Sequence, residues 1–250
     1  MKLAISQPTY LPWLGYFDLI DQVDGFVFLD NVQFEKRSWQ QRNRIKGPHG
    51  LILLTVPVTV SGRFHQTVAD AVISDVVHQE KHRRSVEMNY RRSLFFDAYW
   101  PSFSSTLQAG WESGRLVELN ILLIKWCMRQ LGIEKRLWRA TDLPCEGRRG
   151  ELLAKICQYL DANEYLSVPG SAAYLVNEEH EFSSRGIRVF FQRFEHPEYN
   201  QLFPPFLPYA SAIDLIFNHG TSAIEILRSG RRSSIPIADI SQTLAEKAKA

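Results

Sequence analysis

Apolar positions change their period twice within the first thirty residues. Leu3 to Ser6 is a short apolar run, Trp13 to Val23 sets Leu14, Phe17, Ile20 and Val23 on one helical face, and Phe26 to Asp30 is apolar again. Strand, helix and strand in so short a span predict a βαβ unit with parallel strands and a right-handed crossover. The loop between the first strand and the helix, Gln7-Pro8-Thr9-Tyr10-Leu11-Pro12, holds two prolines and is not helical throughout. Leu51 to Val60 is almost continuously apolar and β-branched, the pattern of a strand covered on both faces, with Pro57 marking an edge or a bulge. Helices are expected over 78–93, 100–111, 116–131 and 149–160, and strands near Tyr165-Leu166-Ser167 and from Gly186 to Phe194. Ser211-Ala212-Ile213-Asp214 has the form of a capping box before a helix that stops at His219-Gly220.

These elements predict an α/β fold: an N-terminal βαβ unit, a mostly parallel sheet and a more helical C-terminal half. Residues 1–220 read as a single α/β catalytic-type domain, or as two lobes meeting near 75–115. Residues 221–250 read as a C-terminal helix and tail, whose LAEKAKA end is a frayed helix or a disordered terminus.

Composition narrows the classes. A 250-residue chain that is 45% hydrophobic is no disordered segment. It lacks the run of about 20 apolar residues that a membrane helix needs. The net charge of +2 offers no global field to nucleic acid or membrane, so electrostatic attraction must be local. Three cysteines (Cys127, Cys145, Cys157), odd in number and without Cys-x-x-Cys spacing, read as free thiols in a reducing compartment. The N-terminal apolar run is too short for a signal peptide, and the expected location is the cytoplasm. The chain is 12% aromatic, with six unevenly placed tryptophans.

Four stretches carry candidate chemistry. The loop QPTYLPWLGY leads from the first strand into a helix, where α/β sheets bind ligands. Tyr10, Trp13 and Tyr16 there either stack on a base or sugar or form a hydrophobic lid, and Gln7 offers an amide. No dinucleotide fingerprint or P-loop is present. Trp13-x-Gly15-Tyr16 faintly resembles the His-x-Gly-His site of nucleotidyltransferase folds, with both histidines replaced. The second stretch, DNVQFEKRSWQQRNRIK, gathers Lys36, Arg37, Arg42, Arg44 and Lys46 around Trp39. Arg42, Asn43 and Lys46 are the candidates for a phosphate clamp, with Asp30 as a hydroxyl acceptor, metal holder or base. Third, His78 and His82 in HQEKH share a helix face, but the order is not that of a zinc protease, and a solvated or anion-binding helix fits better. Fourth, His196, Tyr199 and Gln201 follow a strand and form an acid–base and hydrogen-bonding set, with Asp214, Asn218 and His219 around the next helix. No metal site and no cofactor are assigned.

Taken in order, QPTYLPWLGYFDLID, DGFVFLDNVQFEKRSWQQRNRIKG, LLTVPV, GIRVFFQRFEHPEYNQ and SAIDLIFNHG resemble the WbqC-like family of bacterial proteins, from the first residues to about Gly220. The matching positions include Gln7, Tyr10, Trp13, Tyr16, Asp30, Gln33, Trp39, Arg42, Asn43 and Lys46, then His196, Tyr199, Gln201, Asp214, Asn218 and His219. The chain departs from the family at Ser6, where histidine is common. Family members are often encoded with O-antigen or other surface-glycan genes, which implies a role in making or modifying activated sugars.

The leading expectation is a transferase acting on a phosphate-bearing small molecule such as a nucleotide-activated sugar, with no nucleic-acid partner. His196 is the candidate base, Asp30 or Asp214 its orienting acid, and the remaining matched residues bind substrate. The alternatives are an ATP-dependent ligase or nucleotidyltransferase-like enzyme, and a non-enzymatic adaptor or ligand-binding protein of a biosynthetic complex.

Overall fold

The structure is a computed structural model that describes residues 1–75 and 77–240. In chain order its strands are β1 (Lys2–Ser6), β2 (Gly25–Phe28), β3 (Arg42–Gly47), β4 (Gly50–Thr55), β5 (Arg136–Arg139), β6 (Glu164–Ser167), β7 (Arg188–Phe194) and β8 (Arg231–Pro236). Its α-helices are α1 (Leu14–Asp21), α2 (Val77–Tyr90), α3 (Phe96–Glu112), α4 (Leu116–Gln130), α5 (Arg149–Tyr159), α6 (Ala172–Leu175), α7 (Glu179–Ser183), α8 (Ala212–His219) and α9 (Ala223–Ser229). The expected LAEKAKA end lies outside the described residues. No helix among the described residues is long and apolar enough to cross a membrane.

The predicted βαβ unit is present. β1 and β2 pair in parallel from Leu3↔Gly25 to Ser6↔Phe28. The main sheet has the order β5-β2-β1-β6-β7-β8, parallel throughout except for β8, which closes antiparallel on β7. The fold is the expected mixed α/β one, with a mostly parallel sheet and helices recurring through the C-terminal half. Alternation along β1 explains how both faces are covered. Leu3 and Ile5 enter a core with Val27, Leu152, Ile156 and Phe182, whereas Ala4 joins Phe26, Phe28 and Leu166 in the opposite core with α1, α4 and α8.

Helix α1 departs from its pattern. One buried face was expected, but Leu14 to Ile20 are all buried, because α9 packs against the side that would otherwise meet solvent. Asp18 is thereby carried into the interior at 0% exposure.

The run Leu51–Val60 is corrected. It is not a two-face-covered strand of the main sheet. Its first half belongs to β4, which pairs with β3 as a separate antiparallel ribbon in register Arg42↔Thr55 to Gly47↔Gly50. Leu53 is accordingly 49% exposed, since a two-stranded ribbon buries one face only. Pro57 lies beyond the ladder, where a missing N–H costs nothing. The partner strand, RNRIKG, is too polar to read as a strand, although Ile45 and Lys46, on opposite faces of it, are both buried. Two further strands, RLWR in β5 and RRSSIP in β8, are short polar edges of the sheet.

The N-terminal loop is pinned from two helices. Asn120 of α4 donates to the carbonyls of Pro8 (2.9 Å) and Gln40 (2.8 Å). The Tyr10 hydroxyl meets His82 Nδ1 of α2 at 2.7 Å, and His82 Nε2 meets the Thr55 carbonyl at 3.2 Å. A carbonyl only accepts, so Nε2 carries the proton and Tyr10 donates to Nδ1. Burial lowers the His82 pKa from 6.5 to about 4, against the opposing pull of the Thr55 carbonyl. Between these two pH values the unfolded chain takes up a proton that the folded chain refuses. Stability present above pH 6.5 is therefore lost as pH falls toward 4, by at most about 3 kcal/mol. Urea midpoints should drop between pH 7 and pH 5 more steeply in the wild type than in His82→Gln. Equal slopes would remove His82 as the cause.

Candidate functional site

Chain connections reverse direction in the middle of the sheet. Helix α1 crosses from β1 to β2 on one face, and α5, which precedes β6, packs on the other. Beyond the carboxyl ends of β1 and β6, where doubly wound sheets open a crevice, lies a cavity of about 540 Å³. That volume suits a small organic ligand.

The β1–α1 loop supplies Ser6, Thr9, Trp13, Gly15 and Tyr16 to its wall. Val168, Pro169 and Gly170 line it from the turn after β6, and Gln192 and Phe194 from β7. The β3–β4 ribbon adds Asn43 and Arg44, the segment before the ribbon adds Trp39, and Tyr209 comes from the segment before α8. Among the described residues, Arg44 is the only charged one in this lining. Its guanidinium stands 5.3 Å from the centre of the half-exposed Trp39 ring, and that of Arg42 stands 5.9 Å away. No side chain caps α1, so the partial positive charge of its N-terminus faces the same space.

Of the residues singled out in the sequence, the structure brings Trp13, Tyr16, Trp39 and Asn43 together in this wall. Others stand just behind it. Gln7 accepts from Gln40 Nε2 at 2.7 Å, and its carbonyl accepts from the Tyr16 hydroxyl at 3.1 Å. Tyr10 is buried against α2, and its carbonyl accepts from Asn43 Nδ2 at 3.1 Å. Gln33 lies elsewhere, bonded to the Phe64 carbonyl at 3.1 Å.

A polar network centred on a buried carboxylate sits beside the cavity. Asp214 is fully buried, and its Oδ2 accepts from the Tyr199 hydroxyl (2.9 Å) and from Gln201 Nε2 (3.0 Å). Burial pushes its carboxyl up, opposed by those two bonds and by the charge of Lys46. Asn218 Nδ2 donates to the Asp214 carbonyl at 2.7 Å, and His219 Nε2 donates to the Asn200 carbonyl at 2.9 Å. The capping box is only half formed. Ser211 Oγ accepts weakly from the Ile213 N–H at 3.4 Å, but the Ser211 N–H donates to the Arg44 carbonyl, and Asp214 turns inward instead. Lys46 belongs to this interior. It is 1% exposed and donates to the Gly47 carbonyl, away from the cavity wall.

His196 joins the two regions. Its ring stacks on Trp13 (centroids 6.2 Å, 18° between planes) and on Tyr199 (6.1 Å, 21°), with Tyr209 edge-on at 5.4 Å. Nδ1 lies 2.9 Å from the Pro197 carbonyl and must carry the proton, so Nε2 presents a lone pair, which is buried and unpartnered. Burial lowers its pKa, with the Pro197 bond opposing. The orienting group is thus a backbone carbonyl; Asp214 reaches the ring only through Tyr199. Asp30 is occupied elsewhere, bound by Arg139 Nε (2.7 Å) and by Thr141 N and Oγ1 (both 3.0 Å), which ties β2 to the end of β5. Among the described residues, no cluster of three His, Cys, Asp or Glu side chains is placed to hold a metal ion.

Sequence reasoning passed over Arg44, Gln192 and Tyr209. Arg44 was visible among the basic residues, but it shares a strand face with Lys46, so alternation does not separate the exposed arginine from the enclosed lysine. Gln192 and Tyr209 carried no local signal.

A doubly wound α/β protein with a ligand-sized crevice is the class that this geometry defines. The chain belongs to the WbqC-like protein family, whose profile matches residues 7–226 and so spans every residue from Gln7 to His219 discussed above. It is also 38% identical, over 232 residues, to the uncharacterized protein Rv1507c of Mycobacterium tuberculosis (strain ATCC 25618 / H37Rv), covering 92% of this chain and 99% of that one. No solved structure matches it.

Glycine at position 15 is required by the Trp13 indole. A Cβ there would come within 2.3 Å of the ring carbons. Gly15→Ala should displace the indole from its stack on His196, change the near-ultraviolet circular dichroism as Trp13→Phe does, and cost about 1–3 kcal/mol in urea. An unchanged spectrum and midpoint would show that the indole is not seated there.

Proposed function

We propose that this protein is an enzyme of the transferase type that takes a phosphate-bearing small molecule, such as a nucleotide-activated sugar, into the crevice at the carboxyl ends of β1 and β6. The observation that carries this reading is the character of the wall. Aromatic faces from Trp13, Tyr16 and Trp39 meet a guanidinium and an uncapped helix start, and among the described residues no carboxylate lines the space. Aromatic faces hold planar bases and the C–H faces of sugars. Arg44, seconded by Arg42 across Trp39, offers planar donors to phosphate oxygens. The phosphate role moves from Lys46, which is enclosed, to these two arginines.

His196 is the proposed base. Its neutral imidazole is held in one tautomer by Pro197, which leaves the Nε2 lone pair to accept a proton from an attacking hydroxyl or amine. Trp13 and Tyr209 line the cavity and pack against the His196 ring, whose Nε2 is buried, so His196 can act as the base only if the more exposed Tyr209 moves when a ligand seats. The network of Tyr199, Gln201 and Asp214 keeps the ring in place from behind.

Calorimetry with UDP-glucose and related nucleotide-sugars tests the binding half. Arg44→Ala and Trp39→Ala should each weaken binding about 5- to 30-fold. Equal affinity in both variants for every phosphorylated ligand would reject the clamp. His196→Ala should abolish turnover while leaving affinity within about threefold. Because burial holds the imidazole neutral, turnover in the wild type should stay level on acidification through pH 6.5 and fall only below it. Release of pyrophosphate from ATP would instead favour a ligase or nucleotidyltransferase. A stable protein complex with no turnover would favour the adaptor reading.

A further inference from the structure

The amide of Gln192 has only one way to face. Both of its N–H donors are engaged inside the protein: Nε2 gives one bond to the Gly15 carbonyl at 2.9 Å and one to Asp18 Oδ2 at 2.6 Å. Asp18 is itself held, since Oδ2 also accepts from Gln22 Nε2 at 2.6 Å and Oδ1 accepts from Arg231 Nε at 2.8 Å. Turning the amide over would set its oxygen against a carbonyl oxygen and a carboxylate oxygen at once. The orientation is therefore fixed, and Oε1 is the atom left over. Gln192 lines the cavity. Among the described residues no donor reaches its Oε1, which stays open to the cavity.

We infer that Gln192 is a specificity-determining residue. Its Oε1 is a fixed acceptor on the cavity wall that selects a ligand presenting a neutral hydrogen-bond donor, a ring hydroxyl or a ring N–H, at that point. This rests on the reading of the cavity as a ligand site and sharpens it. The phosphate-bearing part of the ligand belongs at the Arg44 rim, because a phosphate oxygen against Oε1 would be acceptor facing acceptor. The uncharged, donor-bearing ring belongs against Gln192, beside the apolar surfaces of Trp13 and Phe194. Asp18 and Arg231, neither of which lines the cavity, act as positioning residues through the amide.

Titration calorimetry on the full chain tests this with matched probes. Glucose 1-phosphate is compared with its 2-, 3-, 4- and 6-deoxy analogues, and uridine 5′-monophosphate with its N3-methyl derivative. One analogue lacking the donor should bind the wild type about 10- to 100-fold more weakly than its parent, because it leaves a desolvated acceptor unpaired. In Gln192→Met the same pair should differ by less than about threefold. Loss confined to a deoxy sugar identifies a glycosyl ring, and loss confined to the N3-methyl derivative identifies a nucleobase; either supports the inference. Should Gln192→Met fail to fold, Asp18→Asn takes its place: it weakens one of the two acceptors that hold the amide while the Gly15 carbonyl still holds the other, and the discrimination should fall at least threefold. Parent and analogue binding alike, or differing equally in wild type and variant, overturns the inference while leaving the cavity a ligand site. Failure of every phosphorylated probe to bind the wild type overturns both.

Discussion

A carboxylate without solvent access organises this molecule. Asp18 sits on a helix that is buried on every side, and a buried carboxylate left unpaired costs several kcal/mol. Its partners come from far along the chain, Gln192 from β7 and Arg231 from the start of β8. The antiparallel closure of the sheet and the seating of α1 over it are therefore one event. The same helix opens the cavity with its first turn, so the charge that fixes its middle also fixes one wall of the cavity.

Trp13 divides the polar chemistry of the C-terminal motif from that cavity. On its far side Tyr199 and Gln201 both donate to Asp214 Oδ2, and His196 stacks on Tyr199, which holds the ring in place. The cavity is the opposite kind of place, mostly apolar, with a few polar atoms left open. The His196 ring, packed between Trp13 and Tyr199, is held still and shielded from bulk water.

Much of the fold was legible in the sequence. The βαβ start, four of the helices and the strands β6 and β7 follow from clear apolar periods. What escaped were elements whose side chains disguise them. RNRIKG reads as a basic loop until its pairing with an apolar strand is seen, and RLWR and RRSSIP are edge strands whose polarity is a property of edges. For the site, large aromatics in the first loop were informative because a connector has no need of them. Their division of labour was not: Trp13 and Tyr16 face the cavity while Tyr10 braces α2. Lys46 and Arg44 differ by two positions and carry the same charge, yet only packing shows that one is enclosed and the other faces open space. Gln192 was silent because its importance lies in two long-range bonds, which no local pattern encodes.

The distance between Asp18 and its arginine has a consequence in time. The two residues are 213 positions apart. At ribosomal speed, about 5–20 residues per second, α1 waits roughly 10 to 40 s for its counter-ion to be made. Until then the helix cannot be sealed over the sheet with its charge neutralised, and the first strands remain a surface for other chains or for chaperones to hold. Synthesis of β8, rather than local propensity, is what supplies the partner of this buried charge.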